Sequence, residues 1–249
     1  MPESLRIAIR RALTLAALLL LALASLAHAA DKKKKGGDAV WTNPDFAQSS
    51  VTAIAMLPPA SFDHDAAAEK LADAALGATV RGTAYRWVSA SSARALIGGG
   101  PAGDSLLKRV NARLLETGRV DSLMAPELCR RTRTNALLTL RVDRWEQMKL
   151  EFNQSGKPTT TVQLSAALVD STGRLLWTAS GSEVAEGPYH DPSASVIGVQ
   201  SSGLSNQPIT GQGGPPEYAE VLNTLLTRWA PQFPAKPGAP APAPGASSP

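Results

Sequence analysis

The side chains of this 249-residue chain that could do chemistry are few and scattered. Its histidines are His28, His64 and His190. His64 stands in Asp63-His64-Asp65, where oxygen and imidazole donors adjoin as they do around zinc. Consecutive residues on a helix diverge, however, and Asp63 or Asp65 is needed to cap the apolar-periodic segment that follows. His190, in Tyr189-His190-Asp191-Pro192, would need a nucleophile held against it to act as a base. No Gly-x-Ser-x-Gly elbow exists to supply one. Ser105-Leu106-Leu107-Lys108 has the Ser-x-x-Lys spacing of serine acyl-enzymes, but the companion Lys-Thr-Gly and Ser-Asp-Asn motifs are missing. Gly98-Gly99-Gly100-Pro101-Ala102-Gly103 before a helix could cradle a phosphate with free N–H groups. It lacks the preceding strand and the Gly-Lys-Ser/Thr ending of such a loop, and reads as a flexible connection. The sequence therefore assigns no catalytic residue, no metal ligand set and no cofactor.

Arginine gives the best polar signal. Arg109, Arg113, Arg130 and Arg131 fall on two helical segments, 104–117 and 126–132, and Arg119 and Arg133 follow just after them. If those helices pack side by side, some of the six form one basic face able to recruit an acidic protein or an anionic polymer. A solvated helix face is the alternative reading. Nucleic acid is not the expected partner. The net charge is +4, and losing Arg6, Arg10, Arg11 and Glu3 with a leader would bring it close to neutral.

That leader is legible. The three arginines precede the apolar run 12–24, and Ala27-His28-Ala29 supplies small residues at a cleavage site, the pattern of a secretory signal. Cleavage is expected after Ala29, with Ala30 as the alternative, leaving no membrane span; an uncleaved anchor is the competing reading. The lone cysteine, Cys129, is not placed for lipid attachment and has no partner within the chain. It is expected to be buried on a helix. The mature protein is then expected in the periplasm.

The elements that would position these groups follow from periodicity. Residues 30–48, with four lysines and two glycines near the start, read as a solvated linker. A single domain spans 49–233. Within it, Val51–Leu57 is a buried strand and a helix runs to about Val80 with Ala67, Leu71, Ala74, Ala75 and Ala78 inward. Tyr85–Val88 is a short strand and a helix ends at Ile97. Asp104 caps the next helix, with Leu106, Leu107, Val110, Leu114 and Leu115 as its apolar stripe, and Pro126 opens another. Period-two alternation then marks three antiparallel strands, each with one face on a core. Their inward sets are Ala136, Leu138, Leu140 and Val142; Val162, Leu164, Ala166 and Leu168; and Leu175, Trp177 and Ala179. Asp170 to Gly173 is the turn between the last two. A Gly/Ser/Pro/Gln-rich loop covers 186–215. A closing helix carries Tyr218, Val221, Leu222, Leu225 and Trp229 on one side, and 234–249 is a Pro/Ala-rich tail.

This order of parts, above all Val169-Asp170-x-x-Thr172-Gly173-x-Leu175-Leu176-Trp177, resembles a superfamily of bacterial envelope proteins. Its members include the N-terminal domain of TolB, the curli-secretion protein CsgG and the penicillin-binding-protein activator LpoB. The resemblance covers about residues 50–185. It implies an α/β fold, with helices packed on a mixed sheet of about five strands, and binding or assembly work in the envelope instead of catalysis. A protein partner is expected. A small-ligand or polymer-binding protein using the 186–215 loop as a lid is the second expectation.

Overall fold

The structure, a computed structural model, describes residues 37–151, 153–191 and 214–237. Residues 1–36, with the expected leader and the lysine run, residues 192–213 and the residues beyond 237 lie outside them.

The fold is mixed α/β. Strands β1 (Ala39–Thr42), β2 (Ala53–Met56), β3 (Ala60–Ser61), β4 (Arg86–Val88), β5 (Ala136–Met148), β6 (Thr159–Asp170) and β7 (Leu175–Glu186) form one sheet of order β1-β7-β6-β5-β2-β4, with β3 paired to β5. β2 runs parallel to β4 and β5, and β3 parallel to β5. β1, β7, β6 and β5 pair antiparallel in turn. The five strands expected from the sequence are present. The two further ones are short: β3 has two residues, and β1 lies in the stretch read as linker. The folded unit therefore begins before residue 49. Asn43 ties this segment down, its backbone N–H donating to the Leu176 carbonyl at 2.8 Å and its Nδ2 to Leu175 at 3.0 Å.

Helices cover the sheet from both sides. On the first face, α1 (Ala66–Val80) and α5 (Tyr218–Trp229) pack on Ile54, Met56, Leu138, Leu140, Val162 and Leu164. On the second, α2 (Ala90–Ile97), α3 (Pro101–Thr117) and α4 (Ala125–Thr132) pack on Ala55, Leu57, Leu137 and Val169. Each fully buried leucine or isoleucine in these two cores contributes about 1.5–3 kcal/mol of transfer free energy. Because both faces are covered, β5 is buried on both sides over Ala136–Leu140, and Thr139 is buried where a solvent-facing residue was expected. Its hydroxyl lies 3.0 Å from the Gly118 carbonyl oxygen and 3.1 Å from that of Ala167, so its one proton is shared between them.

Three local readings are corrected. α1 turns inward Ala68, Ala72, Leu76 and Val80; of the expected set Ala75 packs against the core, half-buried, while Ala67, Leu71, Ala74 and Ala78 are exposed. With alanine on every side of the helix, only the larger residues choose the face, and Leu76 with Val80 outweighs Leu71. In β7, Leu168 opposes Trp177 while Val169 opposes Leu175, so Leu176 is an extra residue. This irregularity sends Leu176 and Trp177 to the first core and leaves Leu175 against the second. The glycine stretch is not a loose hinge. α3 already begins at Pro101, Asp104 sits in its first turn, and Gly103 is buried. A Cβ on Gly103 would lie 2.1 Å from the Ile97 carbonyl oxygen. The expected stripe of α3 does face the core, with Leu106, Val110 and Leu114 buried and Leu107 and Leu115 beside them.

Candidate functional site

The structure places the six arginines in three environments. Arg113, on α3, donates from Nη1 to Glu116 at 2.6 Å, and its Nε lies 3.3 Å from Asp121. On α4, Arg130 and Arg131 share Glu127, each at 2.7 Å. Their hydrogen bonds hold the Glu127 carboxyl below the usual carboxylate range. Arg131 also donates to the Ile97 carbonyl at 2.8 Å, tying α4 to the end of α2. Arg109, Arg119 and Arg133 are exposed, and none is in an ion pair among the described residues. Arg133 has a left-handed backbone, φ 54°, at the end of α4.

α3 and α4 each pack on α2, and their direct contact with each other is slight. The arginines are accordingly spread over a three-helix layer. The sequence did not single out Arg86, the first residue of β4, whose guanidinium donates to the Arg133 carbonyl at 2.5 Å. Only the pairing of β4 beside β2 brings it there.

The other candidates are placed as follows. Asp65 is the helix cap, accepting from the Ala67 and Ala68 N–H groups at 2.8 and 3.2 Å, and His64 is exposed with φ 52°. Among the described residues no group of three or more His, Cys, Asp or Glu could hold a metal ion. Ser105 and Lys108 are both exposed on α3, with no hydrogen bond between them. His190 is buried, and its backbone pairs with Gly156 in both directions. Cys129 is buried, and burial pushes its thiol up to about 11. No helix of the described residues is long and apolar enough to cross a membrane.

A cleft that the sequence did not point to lies beyond the carboxyl end of β2. It has two lobes, of about 550 and 350 Å³, which share Pro58, Pro59, Glu69 and Arg94. Burial raises the carboxyl of Asp73, in the smaller lobe, above its ordinary range, and the charge of Arg94 opposes that rise.

No family model matches the chain, and no curated protein matches it. Solved structures do. The lipoprotein GNA1162 of Neisseria meningitidis is 21% identical at a TM-score of 0.41, covering 61% of this chain and 99% of its own. A PelC dodecamer subunit of Paraburkholderia phytofirmans is 18% identical at 0.37, covering 79% and 96%. The LpoB C-terminal domain of Salmonella enterica is 13% identical at 0.33, covering 54% and 83%. No residue role is carried over from any of them.

Proposed function

We propose that the chain is an exported, non-catalytic interaction module, an accessory in cell-envelope assembly or wall synthesis that acts by docking an acidic protein partner. The observation that carries this reading is the charge left over on the α2–α4 layer. Arg113, Arg130 and Arg131 are satisfied by acids of their own helices or the adjoining loop. Arg109, Arg119 and Arg133 are exposed and have none among the described residues. Surface arginines with no local acid are available to a partner's carboxylates, and Arg is favoured at interfaces for its planar fork of donors. The leader-like N-terminus supports export. The scarcity of paired nucleophile and base supports binding over turnover.

The test is crosslinking of the purified protein in an envelope extract. A discrete protein adduct is expected for the natural sequence and expected to be lost when Arg109, Arg119 and Arg133 are all changed to Glu. Arg144→Glu, a change at an arginine paired on β5 with Glu146, should leave the adduct intact. An adduct indifferent to the triple reversal, or no adduct at all, overturns the reading.

A further inference from the structure

The parallel part of the sheet has the geometry at which open α/β sheets take ligands. β2 and β4 are neighbours, and the segments leaving their carboxyl ends go to opposite faces. After β2 the chain passes Pro58 and Pro59, forms the two-residue β3 against β5 and then enters α1 on the first core; after β4 it enters α2, which packs on the second. Where adjacent parallel strands send their connections to opposite sides, a crevice opens past the strand ends. The two-lobed cleft occupies that crevice.

Its charges are of both signs, and Arg94 acts on Asp73 through its charge without pairing with it. Glu69, Lys70, Asp73, Arg94, Asp104 and Lys108 line it. None of the six makes an ion pair within 4.0 Å among the described residues, whereas the neighbouring Arg113, Arg130 and Arg131 all do. The smaller lobe adds two helix starts, at Ala66 of α1 and at Ala90 and Ser91 of α2. In α2, Ser89 already satisfies the N–H groups of Ser92, through its hydroxyl, and Ala93, through its carbonyl. The N–H groups of Ala90 and Ser91 are left at the positive end of the helix. Pro58 and Pro59 contribute no N–H, so donors to the cleft come from side chains and these helix ends. In the larger lobe Asp104 and Asn111 stand with the shared Glu69, alongside Lys108.

We propose that this cleft binds a small zwitterion of the class of amino acids and short peptides, with its carboxylate at Arg94 and the start of α2 and its ammonium at Glu69 and Asp104. A free anion would meet Glu69, Asp73 and Asp104, and a free cation would meet Arg94, Lys70 and Lys108. A molecule bearing both groups matches both sets at once. Arg109, Arg119 and Arg133 are not among the residues that line this cleft, and its occupancy does not depend on a protein partner.

The test is NMR titration of the labelled full chain with L-alanine and L-alanyl-L-alanine, each against its N-acetylated and its C-amidated form. Saturable shifts are expected at the Ser91 and Gly98 amides with one or both unblocked probes, and which probe binds better tells amino acid from peptide. Blocking either end should weaken binding about tenfold or more, as should Arg94→Ala or Glu69→Gln. Arg94 is exposed and its side chain makes no hydrogen bond among the described residues, so its removal is expected to leave the fold intact, which the amide spectrum itself reports. Lys149→Ala, outside the cleft, should change nothing. The proposal is overturned if neither unblocked probe saturates, if blocked and free forms bind alike, or if both cleft variants bind like the natural sequence.

Discussion

Cys129 shows how far a single side chain can be read from both sequence and structure. Its helical neighbours place it inward, and it is buried under α4 against the second core. Burial disfavours the thiolate and raises the thiol from its ordinary value near 9 to about 11. The folded protein therefore holds the proton across that interval while the unfolded chain has released it. Stability linked to this group is present below pH 9 and lost as the pH climbs from 9 towards 11. Other groups titrate there too, including Tyr85, which burial also raises. The comparison with Cys129→Ala isolates the thiol. Urea unfolding of the two proteins should show the natural sequence losing stability relative to the variant as pH rises over this range. Parallel curves would show that the thiol is not protected. The same burial means that alkylation of the native protein should be slow until it unfolds.

At the scale of elements, legibility tracked length and side-chain size. β5, β6 and β7 have 13, 12 and 12 residues, long enough for alternation to be unmistakable. The turn between the last two was equally clear, because Asp170 accepts from the N–H groups of Thr172 and Arg174 and Gly173 takes φ 82°. α1 was found, but its inward face was misjudged because alanine gives every face nearly the same claim. The α2–α3 junction was misread because Gly98-Gly99-Gly100 looks flexible in isolation, while Gly103 is there for close approach of two backbones. Adding a methyl group at Gly103 would press on the Ile97 carbonyl oxygen and on backbone atoms of Gly98, which cannot rotate away. Gly103→Ala is expected to destabilise by about 1–3 kcal/mol or more by overpacking. Gly99→Ala, where a Cβ meets nothing within 4 Å, should be near neutral or slightly stabilising. Equal unfolding midpoints for the two variants would contradict the close-packed junction.

Across the whole molecule, what the sequence could not convey is which distant segments meet. The cleft joins residues 58–59, 69, 94 and 104, and no spacing rule connects them before the strand order is known. β1 is a similar case: four residues beside a lysine and glycine run carry too little pattern to be recognised, yet they complete the sheet. Their partner is β7, whose Trp177–Ser180 edge they cover through four residue pairs. Asp38, just before β1, is held by two hydrogen bonds from Arg228 of α5, at 2.8 and 3.1 Å, and Arg228 also pairs with Glu183 of β7. β1 is thus clasped to α5 and β7. A chain beginning at Pro44 would lose the pairs, the Asn43 bonds and the Asp38 partner of Arg228, and would open a strand edge. At about 0.2–1 kcal/mol per cross-strand pair, the pairing alone amounts to roughly 1–4 kcal/mol. Compared with a chain beginning at Gly37, it should melt at lower temperature. It should also associate with rising concentration in light scattering, because an uncovered edge offers its N–H and C=O groups to another copy. If the two chains melt together and both stay monodisperse, β1 is an accessory to the sheet and not its closing strand.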